Sequence, residues 1–178
     1  PLHRGSNPPA SSMKSKSFAF ALGGGLRLLA AAGTLHLFLT DAGLEPSPAH
    51  ALRPGDPRIL EIGERVYVQQ CAACHGASGE GQPDWRERGP DGLLPAPPHD
   101  ASGHTWHHPD EQLFDITKYG IPRVIGQPDY RTAMPVYEGV LSDEEIIAAL
   151  SWIKAQWPPE IRRQHDGINA RHRESSRR

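Results

Sequence analysis

Cys71-Ala72-Ala73-Cys74-His75 is the stretch that decides how the rest of the chain is read. In the spacing C-x-x-C-H two thiols can add to the two vinyl groups of one haem, and the adjacent imidazole lies beneath the iron as a proximal ligand. On a helix Cys71 and Cys74 share a face, as two thioether bonds to one porphyrin require. Two other chemistries use part of this pattern. A redox dithiol needs a βαβ setting, and none is visible around the motif. A zinc site needs a second pair of ligands, and no other cysteine exists, since Cys71 and Cys74 are the only two. His99, His104, His107 and His108 leave the zinc count open.

Working outward, the next chemical signal is Arg131-Thr132-Ala133-Met134-Pro135, 59 residues beyond His75. A six-coordinate haem needs a distal ligand, and thioether sulfur raises the reduction potential. Pro135 disfavours helix at Met134, so the residue sits on a loop. A core methionine is the alternative, and His107 or His108 is the substitute ligand.

The flanking sequence predicts helices. Asp56-Pro57 reads as an N-cap followed by proline at the first helical position. Ile59, Ile62, Val66 and Tyr67 then recur at helical spacing. Gly63 interrupts this run at about 1 kcal/mol relative to alanine, which a close helix–helix crossing would explain. Ser142-Asp143-Glu144-Glu145 is a capping box ahead of Ile146, Ala149, Leu150, Trp152 and Ile153, and Trp157-Pro158 closes that helix. Trp152 falls where it could meet the Gly63 notch. A further helix runs from about Pro109 to Tyr119 and stops at Gly120.

Together these residues resemble the class I, single-haem cytochromes c, close to the small bacterial cytochrome c domains, over about Pro57 to Trp157. The resemblance implies an all-α cytochrome c fold, three to four helices and long loops around one covalent haem c. It implies axial ligation by His75 and Met134. It gives Gly63, Tyr67 and Trp152 to the contact between first and last helices. It makes Gly89-Pro90 the counterpart of the segment whose proline carbonyl accepts the proximal imidazole N–H, with Pro95 as the fallback.

The remaining sequence bounds the setting. The chain has 178 residues, 37% of them apolar, and 36 are glycine or proline. That composition leaves a small apolar core, which a large prosthetic group would complete. Residues 1–51 read as a signal peptide or membrane anchor. Met13 reads as a start, Lys14, Lys16 and Arg27 form a basic head, Leu28–Leu39 is apolar, and Ala49-His50-Ala51 is a small-x-small exit. Residues 18–39 are long enough for a tether, though Arg27 and Gly23-Gly24-Gly25 weaken it. Both readings predict an exported, periplasmic protein. Residues 52–159 form the expected cytochrome domain. They carry nine basic and sixteen acidic residues, a formal charge of −7, which excludes general nucleic-acid binding. Only Lys118 and Lys154 are lysines there, against a partner expecting a lysine ring. Glu160 to Arg178, with six arginines against three acids, reads as a basic, disordered tail.

Five of ten histidines lie between His75 and His108. The loop His99–His108 is either a second metal site for copper or zinc, or a set of packing groups, with His108 capping the next helix and His104 or Trp106 against the haem. Three functions follow. The first is an electron carrier rather than an enzyme, exchanging electrons with redox partner proteins. The second is a haem-bearing subunit of a larger oxidoreductase, or a peroxidase, which Met134 ligation would close off. The third is a copper-handling protein using the histidine loop.

Overall fold

A computed structural model describes residues 49–178; the expected signal or anchor of residues 1–51, with its 18–39 tether, lies almost wholly outside them. The described residues contain α-helices and no strand. The helices are α1 (Pro57–Gln70), α2 (Ala72–His75), α3 (Asp110–Tyr119), α4 (Ile121–Val124), α5 (Asp143–Gln156) and α6 (Pro159–Ser176), with a 3-10 turn at Thr105–His107. No described helix is long and apolar enough to cross a membrane.

The α1 and α5 boundaries follow from their caps. Asp56 accepts a hydrogen bond from the Arg58 amide at 3.0 Å, with Pro57 at the first helical position. At α5, Ser142 Oγ accepts from the Glu145 amide and Glu145 Oε2 accepts from the Ser142 amide. These two helices form the main packing pair. Gly63 makes that pairing possible, because a Cβ there would overlap the Ala148 carbonyl and lie 2.8 Å from Trp152 Cβ. The rings of Tyr67 and Trp152 meet beside this crossing at 4.6 Å.

α5 is buried almost all round, including Ile146, Ile147, Ala148, Ala149, Leu150 and Ile153. Its α3 neighbour contributes Leu113 and Phe114, and Tyr137 and Trp157 complete the apolar core. Each burial of such a side chain contributes about 1.5–3 kcal/mol. Two polar residues are also buried on α5. Ser151 accepts the Arg53 amide and donates to Ile147 O, and Lys154 pairs with Asp166 Oδ1 at 2.5 Å.

The structure corrects the expectation of a disordered tail from Glu160. Residues 159–176 form the longest described helix, α6. α5 closes at Trp157-Pro158, but Pro159 then opens a new helix, at the position where its fixed φ and missing N–H cost nothing. α6 docks by polar contacts. His165 Nε2 donates to His108 O at 2.9 Å. Asn169 donates to Asp110 Oδ1 and accepts from the Asp110 amide. The described residues thus hold six helices, in keeping with the expected all-α fold; α2 and α4 are four-residue turns, and α6 is the addition.

Candidate functional site

The site begins at the end of α1. The chain leaves that helix at Cys71 and re-enters a single helical turn, α2, which carries Cys74 and His75. Both thiols are free; Cys71 is half-buried and Cys74 exposed. Burial, and then the charge of Cys74, push the Cys71 thiol up to about 11. A redox dithiol needs the opposite, a thiol lowered toward neutrality.

His75 is buried, and its Nδ1 lies 2.8 Å from the carbonyl oxygen of Pro97. A carbonyl only accepts, so Nδ1 carries the proton and Nε2 keeps the lone pair. Burial holds this imidazole below its ordinary pKa, against the opposing pull of the Pro97 carbonyl. A neutral ring with Nε2 available is the form that ligates a metal.

Neither Pro90 nor the fallback Pro95 supplies that carbonyl, and the reason lies in the intervening loop. Residues 79–82 and 96–100 run side by side. Gly81 N donates to His75 O, Gln82 N to Ala96 O, and His99 N to Gly79 O. Gln82 Oε1 also accepts from the Ala96 amide. Gly81 lies so close to Pro97 and Pro98 that a Cβ would collide with their backbone. This pairing returns the chain beneath His75 at Pro97. Gly89 and Pro90 instead form the tip of an outlying turn closed by Gly92 N to Gly89 O and Gly89 N to Leu93 O.

Met134 is half-buried on the long connection between α4 and α5, where its amide donates to Thr132 Oγ1 at 3.1 Å. The connection is tied down just beyond it. Tyr137 is buried, its amide donates to Thr117 O, and its hydroxyl donates to Gln70 O at 2.7 Å. Gln70 immediately precedes Cys71, so the segment that carries Met134 is anchored to the edge of the C-x-x-C-H motif.

Sequence reasoning missed His99 as a neighbour of His75. The two rings stack at 3.9 Å between centroids and 21° between planes. Burial first, then the charges of His75 and His104, hold His99 well below its ordinary pKa, so it too is neutral. The signal in the sequence was its place two residues after Pro97.

The other loop histidines are engaged elsewhere. His104 stacks on Trp85 at 5.3 Å, and His107 stacks on Trp106 at 3.7 Å. His108 does not cap α3; Pro109 holds the cap position, and His108 Nδ1 meets the Gln112 side chain at 3.3 Å. Among the described residues no three His, Cys, Asp or Glu side chains converge as a metal site.

The donor set fits haem c. Two free thiols lie three residues apart on one turn, beside an imidazole whose other nitrogen is already committed to a carbonyl. Comparison with curated proteins and with solved structures returns no match. A family model described as cytochrome c oxidase, cbb3-type, subunit III matches residues 59–153, more than half of the chain, from within α1 to within α5. The match brackets the free thiols, the carbonyl-bound imidazole and the α1–α5 crossing, and the chain therefore belongs to that family, as a helical c-type cytochrome domain whose cofactor is covalently bound haem c.

Proposed function

We propose that the chain is an electron carrier with a single haem c, joined through Cys71 and Cys74 and held axially by His75 and Met134. The haem, when bound, exchanges one electron by cycling its iron between ferrous and ferric states. The chain's own residues do the rest. Cys71 and Cys74 fix the group to the α1–α2 corner. Pro97 fixes the tautomer of His75 and so leaves the Nε2 lone pair for the iron. Tyr137 holds the Met134 segment against the same corner, so that a thioether can close the distal side. With His75 and Met134 both holding the group, no ligand position would be left for a substrate, and the chain would act as a carrier rather than an enzyme.

The observation that carries this reading is the Nδ1–Pro97 hydrogen bond of His75, beside two free thiols. The acidic body suits a partner with a basic contact surface. In this reading residues 1–51 direct export to the periplasm, with or without retention as a tether, and residues 52–159 form the cytochrome domain.

A second setting is favoured by the family description, which names a subunit of an oxidase. The same domain would then be the haem-bearing subunit of a larger redox complex, passing electrons inward rather than diffusing between partners.

Absorption spectroscopy of the matured ferric protein tests the axial pair. We expect a weak band toward the red edge of the visible, lost in Met134→Ala together with a lowered midpoint potential. A spectrum and potential unchanged by that substitution would remove Met134 as the ligand.

A further inference from the structure

We propose that His99 is a positioning residue that sets the plane of the proximal imidazole of His75. The proposal rests on the reading of His75 as a haem ligand.

The torsion that turns an imidazole about its Cβ–Cγ bond is broad. One hydrogen bond, from Nδ1 to Pro97 O at 2.8 Å, tolerates a spread of angles. That bond alone therefore selects the tautomer and leaves the ring plane loosely set. The flat face of His99, 3.9 Å away and 21° from parallel, restricts this remaining freedom.

His99 can act as a reference surface because it is itself fixed at several points. Its amide donates to Gly79 O at 2.7 Å, in the turn that follows the haem motif. Its carbonyl accepts from Trp157 Nε1 at 2.7 Å, and Trp157 is buried at the end of α5. Its ring Nδ1 hydrogen-bonds Thr105 Oγ1 at 2.8 Å, and Thr105 is buried in the 3-10 turn. The edge of Tyr67 on α1 meets the ring at 6.3 Å. The proximal ring is thus referenced to α1, to the end of α5 and to the histidine loop together. Groups that touch a ligating histidine and orient its ring tune the metal as well as the geometry. On this account the unusual loop serves the haem through His99, rather than a second metal.

The test is low-temperature electron paramagnetic resonance of the matured ferric protein, because the anisotropy of low-spin ferric haem follows the plane of its axial imidazole. His99→Leu keeps bulk but removes the flat face. His99→Phe keeps a flat face and loses the Thr105 bond. We expect His99→Leu to shift and broaden the principal g values and to move the midpoint potential, and His99→Phe, which keeps the flat face without its Thr105 tether, to bring them only part of the way back to the wild type. Wild-type lines in His99→Leu, or equal disturbance in both variants, would overturn the proposal. Should neither variant mature, Thr105→Val removes only the hydroxyl that fixes the ring. Broadened lines in it support the proposal, and unchanged lines overturn it. Nitrogen hyperfine couplings in the wild-type protein separate the two levels of the argument. Without an axial imidazole signal the ligand assignment itself falls, whereas an imidazole signal unaffected by His99→Leu removes His99 alone.

Discussion

Single atoms decide the two most consequential placements in this molecule. At Gly63 the absence of a Cβ lets α1 lie directly on the Ala148 carbonyl. Glycine costs the isolated helix about 1 kcal/mol relative to alanine, yet Gly63→Ala should not stabilise the protein. The added methyl meets backbone rather than a movable side chain, so the two helices must part, and overpacking of this kind costs about 1–3 kcal/mol. A lowered denaturation midpoint for the matured Gly63→Ala protein is the expected outcome; an unchanged or raised midpoint would show that the crossing yields. Lys154 is the second case. Its ammonium is buried, and its carboxylate partner Asp166 is largely exposed. Asp166→Asn removes the countercharge while keeping the shape. A loss of about 2 kcal/mol is expected, the range of a charge-assisted hydrogen bond, read as a drop in thermal midpoint. No change would mean that water replaces the carboxylate at no cost. The proximal carbonyl was only half legible at this scale. A proline after the motif was expected, but its number depended on the Gly81–Pro98 approach and the Gln82–Ala96 pairing, which join residues fourteen or more apart and leave no local pattern.

The elements divide into those held by apolar packing and one held by polar contacts. α1, α3 and α5 were legible because their caps and apolar periodicity agree. Asp56, Ser142, Glu145 and Gly120 stand where the structure starts and stops them. α6 was not legible, because its inward face reads Ile161, His165, Ile168, Asn169 and His172, a helical spacing in which most members are polar. Its docking should therefore depend on pH. His165 is fully buried, and burial, followed by the nearby Lys154 charge, lowers its pKa against the raising influence of Asp110, the His108 carbonyl and Asp166. A histidine held below its ordinary value, near 6.5, is neutral when folded and takes up a proton on unfolding. The stability it contributes is complete above that value and is lost as pH falls through and below it. The thermal midpoint should decline from about pH 7 to about pH 5. His165→Gln, which keeps a donor for His108 O and does not titrate, should flatten that part of the profile. An equally steep decline in the variant would place the sensitive group elsewhere.

At the scale of the whole molecule, charge is distributed unevenly. Residues 52–159 carry a formal −7, while 160–178 hold six arginines against three acids. Long-range attraction between exposed charges is screened over about 8–10 Å at ordinary ionic strength. Electron transfer with a lysine-rich redox protein should therefore slow as salt is raised, in stopped-flow mixing, while transfer with an acidic carrier should quicken. Rates that ignore salt with both would detach the acidic body from partner choice. The all-helical fold, the C-x-x-C-H corner and the α1–α5 crossing were readable because each is written within a few residues. The stacking of His99 on His75 and the docking of α6 were not, because each depends on where distant loops return. Everything functional converges on one chemical bond pattern at Cys71-Ala72-Ala73-Cys74-His75. Mass spectrometry of the matured protein, followed by sequencing of the peptide that contains this motif, tests it most directly. The account predicts one haem mass per chain, carried on that peptide through thioether links to both cysteines. A matured protein whose motif peptide has the unmodified mass, with both thiols open to alkylation, would contradict it.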